Sequence, residues 1–305
     1  MKVLNNRKVS SMKKILITGA NSYIGTSFEK WNIENKQSYT VDTLDMKSDV
    51  WQNYDFRGYD VVFHVAGIAH ADVGNATEEL KALYYKVNTD LTIACAKKAK
   101  ADGVGQFIFM SSMIVYGASG KLGKSRRITA DSQPDPENFY GDSKLKAEEG
   151  IQVLTDETFK VVILRPPMIY GEGSKGNYPI LAKMAAKLPI FPDIQNERSM
   201  LYVGNFCKFV SLLIQNEEQG IFFPQNAEYV QTSHMVQMIA TEHHKKIHLT
   251  KLFNPAVILL SKIGGKFGRL ADKAFGNMSY DMQMSVYPQE YRVYTLEESI
   301  QRTEQ

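Results

Sequence analysis

The chain has 305 residues, 44% of them hydrophobic and 23% charged, enough for one globular unit with a sizeable core, or a large domain carrying a smaller lobe. A formal net charge of only +3 lacks the basic field that nucleic-acid binding needs, so no nucleic-acid partner is expected. Cys95 and Cys207 are too far apart to form a metal or redox motif, and a reduced, cytoplasmic protein without a metal site is expected.

Residues 1–11 are polar and basic and lack the apolar centre of a signal segment. Met12 stands directly before Lys13-Lys14-Ile15-Leu16-Ile17, so residues 1–11 are expected to be a disordered extension. Apolar runs then follow at 15–18, 39–41, 61–65, 107–110 and 161–164, most of them rich in β-branched residues. Between them lie amphipathic stretches, notably 78–100 and 141–154. Strand–helix alternation of this kind predicts an α/β fold, a doubly wound parallel sheet covered on both faces, over residues 12–172. Beyond residue 172 the pattern weakens. Helices are expected at 177–187, 205–214, 234–241 and 259–275 and a short strand at 200–203, which together suggest a smaller α/β lobe over 173–305. No run is long enough to span a bilayer.

The strand at 15–18 runs into Gly19-Ala20-Asn21-Ser22-Tyr23-Ile24-Gly25, and a helix is expected over 24–31. Glycine lets the backbone turn tightly and approach a pyrophosphate, and the helix N-terminus offers N–H groups to its oxygens. An acidic residue after the second strand would hold the adenosine ribose. Asp42 is the first candidate and Asp45 the alternative. A carboxylate there repels a 2′-phosphate, so NAD is expected in preference to NADP. The middle position of the loop, usually glycine, is Ser22, whose hydroxyl is small enough to face a phosphate.

Tyr140 and Lys144 stand four apart at the start of a predicted helix and share a face. A tyrosine titrates near ~10 and is a poor base at neutral pH. An ammonium one turn away is expected to lower that value and make the phenol a proton acceptor for a hydroxyl that loses hydride. The apolar strand at 107–110 ends in Ser111-Ser112, which places the Ser112 hydroxyl at the same sheet edge to share the proton.

These motifs, with Phe63-His64-Val65-Ala66-Gly67, Val115-Tyr116-Gly117 and Arg165-Pro166-Pro167-Met168-Ile169-Tyr170-Gly171, resemble the extended short-chain dehydrogenases/reductases. Within them the chain is similar to the NAD-dependent epimerase/dehydratase family, which acts on nucleotide sugars and has a Rossmann fold. The likeness runs from Met12 to the C-terminus. It implies catalytic roles for Ser112, Tyr140 and Lys144, with Ser112 and Tyr140 touching the sugar. It implies cofactor contacts from Gly19, Tyr23, Ile24, Gly25, Ala66, Gly67 and Pro167, and support of that site by Asn88; Ser22 departs from the family's glycine and is expected to face the phosphate through its own hydroxyl. Asn177 and Arg198 match the family's substrate positions, Arg198 for the pyrophosphate of a UDP-linked sugar; the bland alternative is a surface arginine in a polar loop. A homodimer through 78–100 and the Tyr140 helix is also implied.

The family's 4,6-dehydratases carry an Asp-Glu pair after the serine or threonine. Here those places are Met113 and Ile114, which move no protons. That leaves a 4-epimerase, slightly preferred, or a 4-keto reductase. A sensor or scaffold that keeps the cofactor is a third reading, opposed by the presence of both Tyr140 and Lys144. His64 is expected to be structural and His70 to line the cleft, while His243, His244 and His248 read as a solvated helix face. The apolar stretch 253–263 is expected to pack inward, with a membrane-surface placement as the lesser alternative.

Overall fold

The computed structural model describes residues 12–37, 39–69, 76–117 and 120–305. The extension expected at 1–11 and His70 lie outside them. Strand β1 (Lys13–Thr18) leads into helix α1 (Tyr23–Glu34), and β2 (Tyr39–Leu44) and β3 (Val61–His64) follow. Next come α2 (Glu78–Tyr84), α3 (Leu91–Ala101), β4 (Gln106–Met110), the two-residue β5 (Arg127–Ile128), α4 (Phe139–Gln152) and β6 (Lys160–Leu164). The rest of the chain forms β7 (Met168–Tyr170), α5 (Tyr178–Lys187), β8 (Ile190–Pro192), β9 (Met200–Tyr202), α6 (Val203–Gln215) and β10 (Gly220–Phe222). It closes with α7 (Thr232–Glu242), β11 (His248–Thr250), α8 (Asn254–Ile263), α9 (Gly265–Phe275), β12 (Ser279–Tyr280) and α10 (Leu296–Glu304).

Six strands make one parallel sheet in the order β10-β6-β4-β3-β1-β2. Alternate residues feed opposite faces, as the two-residue period of a strand requires. Leu16, Val62, Phe107, Phe109 and Val161 pack with Cys95 and Ala99 of α3 and Ala147 and Ile151 of α4. Ile15, Ile17, Phe63 and Ile108 pack with Phe28 and Trp31 of α1 and Phe206, Val210 and Leu213 of α6. This is the doubly wound arrangement expected. Strand β2 lies on one side of β1 and the remaining strands on the other, so the chain changes direction between β1 and β3. A crevice outside the strands' carboxyl ends is the usual ligand position at such a switch point.

The lobe has its own core, in which Tyr170, Tyr178, Phe191, Met235, Val236 and Ile239 meet. However, α6 and β10, both from beyond residue 172, belong to the sheet layer, so a division at residue 172 does not follow the sheet's membership.

Two helical expectations are corrected. The helix expected over 78–100 is continuous but widens into a π-helical turn at Tyr85–Asp90, with Asn88 buried inside it. The helix expected over 259–275 is two helices, α8 and α9, parted at Gly264, where φ is +78°. Most of their large apolar side chains do not pack inward: Leu259, Ile263 and Phe267 are 58%, 72% and 70% exposed, while Val257 and Phe275 reach the lobe core.

Candidate active site

The glycine turn is fixed by strand geometry. Gly19 follows β1 at φ +119°, and a Cβ there would lie 2.7 Å from the Ala66 nitrogen beyond β3. Only glycine lets the ends of β1 and β3 converge this closely. The N–H groups of Gly19 and Ala20 donate to the Leu44 carbonyl at 2.9 and 3.1 Å, which ties the turn to the end of β2. Ser22 sits at φ −73°, ψ 145°, and its Oγ accepts from the Gly25 N–H at 3.2 Å. It is the N-cap of α1, in a conformation open to any residue, so replacing the usual glycine costs room but no backbone strain. Tyr23 and Ile24 supply first-turn N–H groups, which have no acceptor within a helix.

The two acidic candidates are placed differently. Asp42 pairs with Leu16 inside the sheet, two residues before the strand ends, and its Oδ2 accepts from the Tyr59 hydroxyl at 2.7 Å. Asp45 directly follows β2 beside the glycine turn, is exposed, and accepts from the Lys47 N–H at 2.9 Å. The carboxylate at the sheet's carboxyl edge is therefore that of Asp45.

Strand β4 delivers Ser112 to the same edge, in extended backbone that caps a short turn, Oγ accepting from the Ile114 N–H at 3.3 Å. Helix α4 starts at an Asn138 cap, whose Oδ1 accepts from the Gly141 N–H at 3.0 Å, and carries Tyr140 in its first turn. The Tyr140 phenol lies near Ser112, and its ring meets Tyr84 edge-on at 5.9 Å. Burial pushes the phenol up to about 12, with the nearby Ser112 hydroxyl pulling the other way.

Lys144 is 5% exposed. Its Nζ donates to the Met110 carbonyl at 2.9 Å and stands 4.8 Å from the centre of the Phe109 ring. Burial drives its ammonium down to about 8, while Glu148, one turn on, partly restores it. The expected lowering of the phenol by Lys144 is corrected: desolvation raises the phenol, and the ammonium is directed to the strand end.

Gly67 makes room for this cluster, since a Cβ there would lie 3.0 Å from the Lys144 Nζ and 3.2 Å from the Asn88 Oδ1. Asn88 accepts from the Ile68 N–H at 2.8 Å and donates to the Ile68 carbonyl and the Ser143 Oγ, both at 3.1 Å. It thus clamps the segment after β3 to α4. His64 is fully buried between Thr18 and Thr92 at 2.7 and 3.0 Å, and burial lowers it to about 3, so it is a neutral structural group.

Beneath the cluster lies a buried ion pair that sequence reasoning missed. The Arg165 Nε donates to Glu148 at 3.0 Å and its Nη2 at 2.5 Å, while Nη1 donates to the Tyr116 hydroxyl at 2.7 Å. The Ser111 hydroxyl also donates to Glu148. The signal was present: Glu148 lies one turn beyond Lys144, and Arg165 opens the Pro166-Pro167 motif. That motif is buried, and the Pro166 carbonyl accepts the Met113 N–H at 2.9 Å, which joins it to the Ser112 turn.

Of the two lobe residues, Asn177 precedes α5, and its carbonyl accepts from Ile180 and Leu181 at 3.1 and 3.2 Å. Arg198 bridges Val230 and Met278 through its backbone. Its Nη1 donates to the Lys273 and Gly276 carbonyls at 2.8 and 3.3 Å, at the carbonyl end of α9, where a cation is favoured. Gly120, in the segment after the Ser112 turn, donates to the Asn277 carbonyl at 2.9 Å. One helix end therefore links Arg198 to the Ser112 side of the cleft.

A doubly wound sheet with a glycine turn at its switch point, and a Ser–Tyr–Lys group on the same edge, defines an extended short-chain dehydrogenase/reductase. The chain belongs to the NAD dependent epimerase/dehydratase family, whose model matches residues 15–223. It is 31% identical over 295 residues, 88% of each chain, to a UDP-glucose 4-epimerase of Vibrio cholerae. It is 29% identical to an N-acetyl-alpha-D-glucosaminyl-diphospho-ditrans,octacis-undecaprenol 4-epimerase of Escherichia coli O157:H7, over 83% of this chain and 81% of that one. Its fold matches a UDP-glucuronic acid 4-epimerase of Bacillus cereus solved with NAD, with a TM-score of 0.67 at 18% identity, over 95% of this chain and 96% of that one. A nicotinamide dinucleotide is the family's cofactor, and the convergence at Gly19 and the α1 N-terminus fit one.

Proposed function

We propose that this protein is a UDP-sugar 4-epimerase that transfers hydride at C4, with Tyr140 exchanging the proton of the C4 oxygen. The observation that carries this reading is the Tyr140 phenol brought beside Ser112 at the carboxyl edge, with buried Lys144 one turn away. When bound, the nicotinamide dinucleotide accepts and returns the hydride. Ser112 holds the sugar oxygen and passes its proton to Tyr140. Lys144, mostly protonated at neutral pH, adds positive charge to a site where a phenolate forms. Gly19, Ser22, Tyr23, Ile24 and Gly25 receive the pyrophosphate at the α1 N-terminus, and Ala66, Gly67, Asn88 and Pro167 shape the nicotinamide side. Asp45 takes the ribose, which favours NAD over NADP. Asn177 and Arg198 hold the sugar nucleotide, Arg198 at its pyrophosphate.

The extent of the match to the 4-epimerase of Vibrio cholerae supports that reaction. The second reading is an NAD(P)H-dependent 4-keto reductase, in which the same Tyr140 gives its proton once. Met113 and Ile114, which carry no titratable group, argue against 4,6-dehydration. Two buried free thiols, Cys95 and Cys207, suit the cytoplasm. Exposed Leu83 on α2 supports a homodimer through that helix and α4, to be tested by mass in solution.

The deciding experiment identifies small molecules released from the purified protein and then supplies UDP-sugars with and without NADH. Co-purified NAD, with interconversion of 4-epimers and no added cofactor, establishes the epimerase. NADH or NADPH consumption confined to a 4-keto sugar establishes the reductase instead.

A further inference from the structure

The hairpin of α8 and α9 touches the lobe core through Val257 and Phe275 but leaves most of its large side chains unpartnered. Where its two helices face each other the positions are small or polar: Ser261 is buried, its hydroxyl donating to Asp272 at 2.5 Å, and Gly268 and Ala271 are buried as well. A Cβ at Gly268 would lie 2.6 Å from the Leu260 carbonyl, so the two helices touch backbone to backbone. Most of the large side chains go outward. Leu252, Leu259, Leu260, Ile263, Phe267 and Leu270 are all exposed within a stretch of 19 residues. Apolar side chains exposed in such a cluster mark a contact surface.

Charge selects the occupant. Residues 251–275 contain four lysines, one arginine and one aspartate, a net charge of +4. Lys251, Lys262, Arg269 and Lys273 are exposed. The single acid, Asp272, is bound inside the hairpin by Ser261 and by the Leu122 N–H at 3.0 Å. A second copy would bring +4 against +4. An anionic lipid surface accepts both features at once, apolar side chains below the headgroups and cations among them. Among the described residues no helix is long and apolar enough to cross a membrane.

We propose that the α8–α9 hairpin seats the protein on an anionic phospholipid surface. The hairpin holds Arg198 through the Lys273 carbonyl and the segment after Ser112 through the Leu122 N–H, so the face it presents adjoins the elements that carry the candidate site. The proposal does not depend on the reaction assigned above.

The test is co-sedimentation of the full chain with phosphatidylcholine vesicles, with and without phosphatidylglycerol, and no substrate present. The wild type is expected to sediment with the anionic vesicles and far less with the neutral ones. The Ile263→Ser/Phe267→Ser variant is expected to lose about tenfold in partitioning for each side chain removed. Lys262→Gln with Arg269→Gln is expected to lose about fivefold per charge at low salt. All these side chains are exposed, and unchanged circular dichroism confirms that the variants fold. Absent vesicle binding, or binding that the substitutions leave unchanged, overturns the proposal. So does a wild-type dimer that Ile263→Ser/Phe267→Ser converts to a monomer, which assigns the face to a second copy of the chain. Failure of the sugar assay leaves the vesicle result standing, so the two readings fail separately.

Discussion

Replacing Lys144 by methionine should stabilise the fold at neutral pH while removing activity. Its ammonium is lowered by burial from the ordinary 10.5 to about 8, which means that the folded state holds the charged form less readily than the unfolded chain does. At about 1.4 kcal/mol per pH unit, that drop is a cost of about 3 kcal/mol below pH 8, where both states are protonated. Methionine keeps the stem's packing but loses the hydrogen bond to the Met110 carbonyl, worth about 1 kcal/mol. The net expectation is a gain of about 2 kcal/mol at pH 7. The sign reverses with pH. Between about 8 and 10.5 the unfolded chain holds more protons, so wild-type stability rises through that window and the variant's advantage disappears above it. Urea unfolding of both proteins at intervals from pH 7 to 11 reads this directly. A variant less stable than wild type at pH 7, or a difference that does not change with pH, would refute the reasoning.

Tyr140→Phe should lower turnover by at least about a hundredfold, the usual contribution of a proton-transfer group, with calorimetric NAD binding unchanged. Substantial remaining activity removes the phenol from the chemistry. Arg198→Ala should raise KM for the sugar nucleotide far more than Kd for the dinucleotide, and equal effects on both place it outside the substrate site. Glu148→Ala leaves Arg165 charged and buried without its carboxylate partner, and should cost about 3–5 kcal/mol in urea unfolding. A loss of under about 1 kcal/mol indicates that the Tyr116 hydroxyl satisfies the guanidinium by itself. Asp45→Ala should narrow the affinity gap between NAD and NADP, whereas Asp42→Ala should leave it in place; the reverse pattern returns the ribose to Asp42.

The sheet was legible because a parallel strand covered on both faces reads as an unbroken apolar run, and residues 15–17, 61–63, 107–110 and 161–164 are such runs. Strand β10 was missed because three residues at a sheet edge, none of them fully buried, leave no such run. The Ser112, Tyr140 and Lys144 positions were legible because their spacing along a strand end and a helix turn fixes where they emerge. What the spacing did not carry was desolvation. The charge on Lys144 and the phenol of Tyr140 depend on Phe109, Tyr84 and the Met110 carbonyl, which reach the site from other elements of the fold. Asp42 and Asp45 show the same limit on a smaller scale. Three residues apart, they both suit the end of β2, and only the register with β1 and the Tyr59 hydroxyl separates them.

The α8–α9 hairpin sharpens the point. Helical periodicity reports that apolar residues share a face, and a globular chain is most often stabilised by turning that face inward. Which way a face turns depends on what its opposite side offers the body of the protein. Here Ser261, Gly268 and Ala271 fit closely against the neighbouring backbone and the Asp272 carboxylate, and most of the large side chains are left outside. Small residues at inward positions were visible in the sequence, but their meaning appears only once Gly264 has broken the helix and folded one half onto the other.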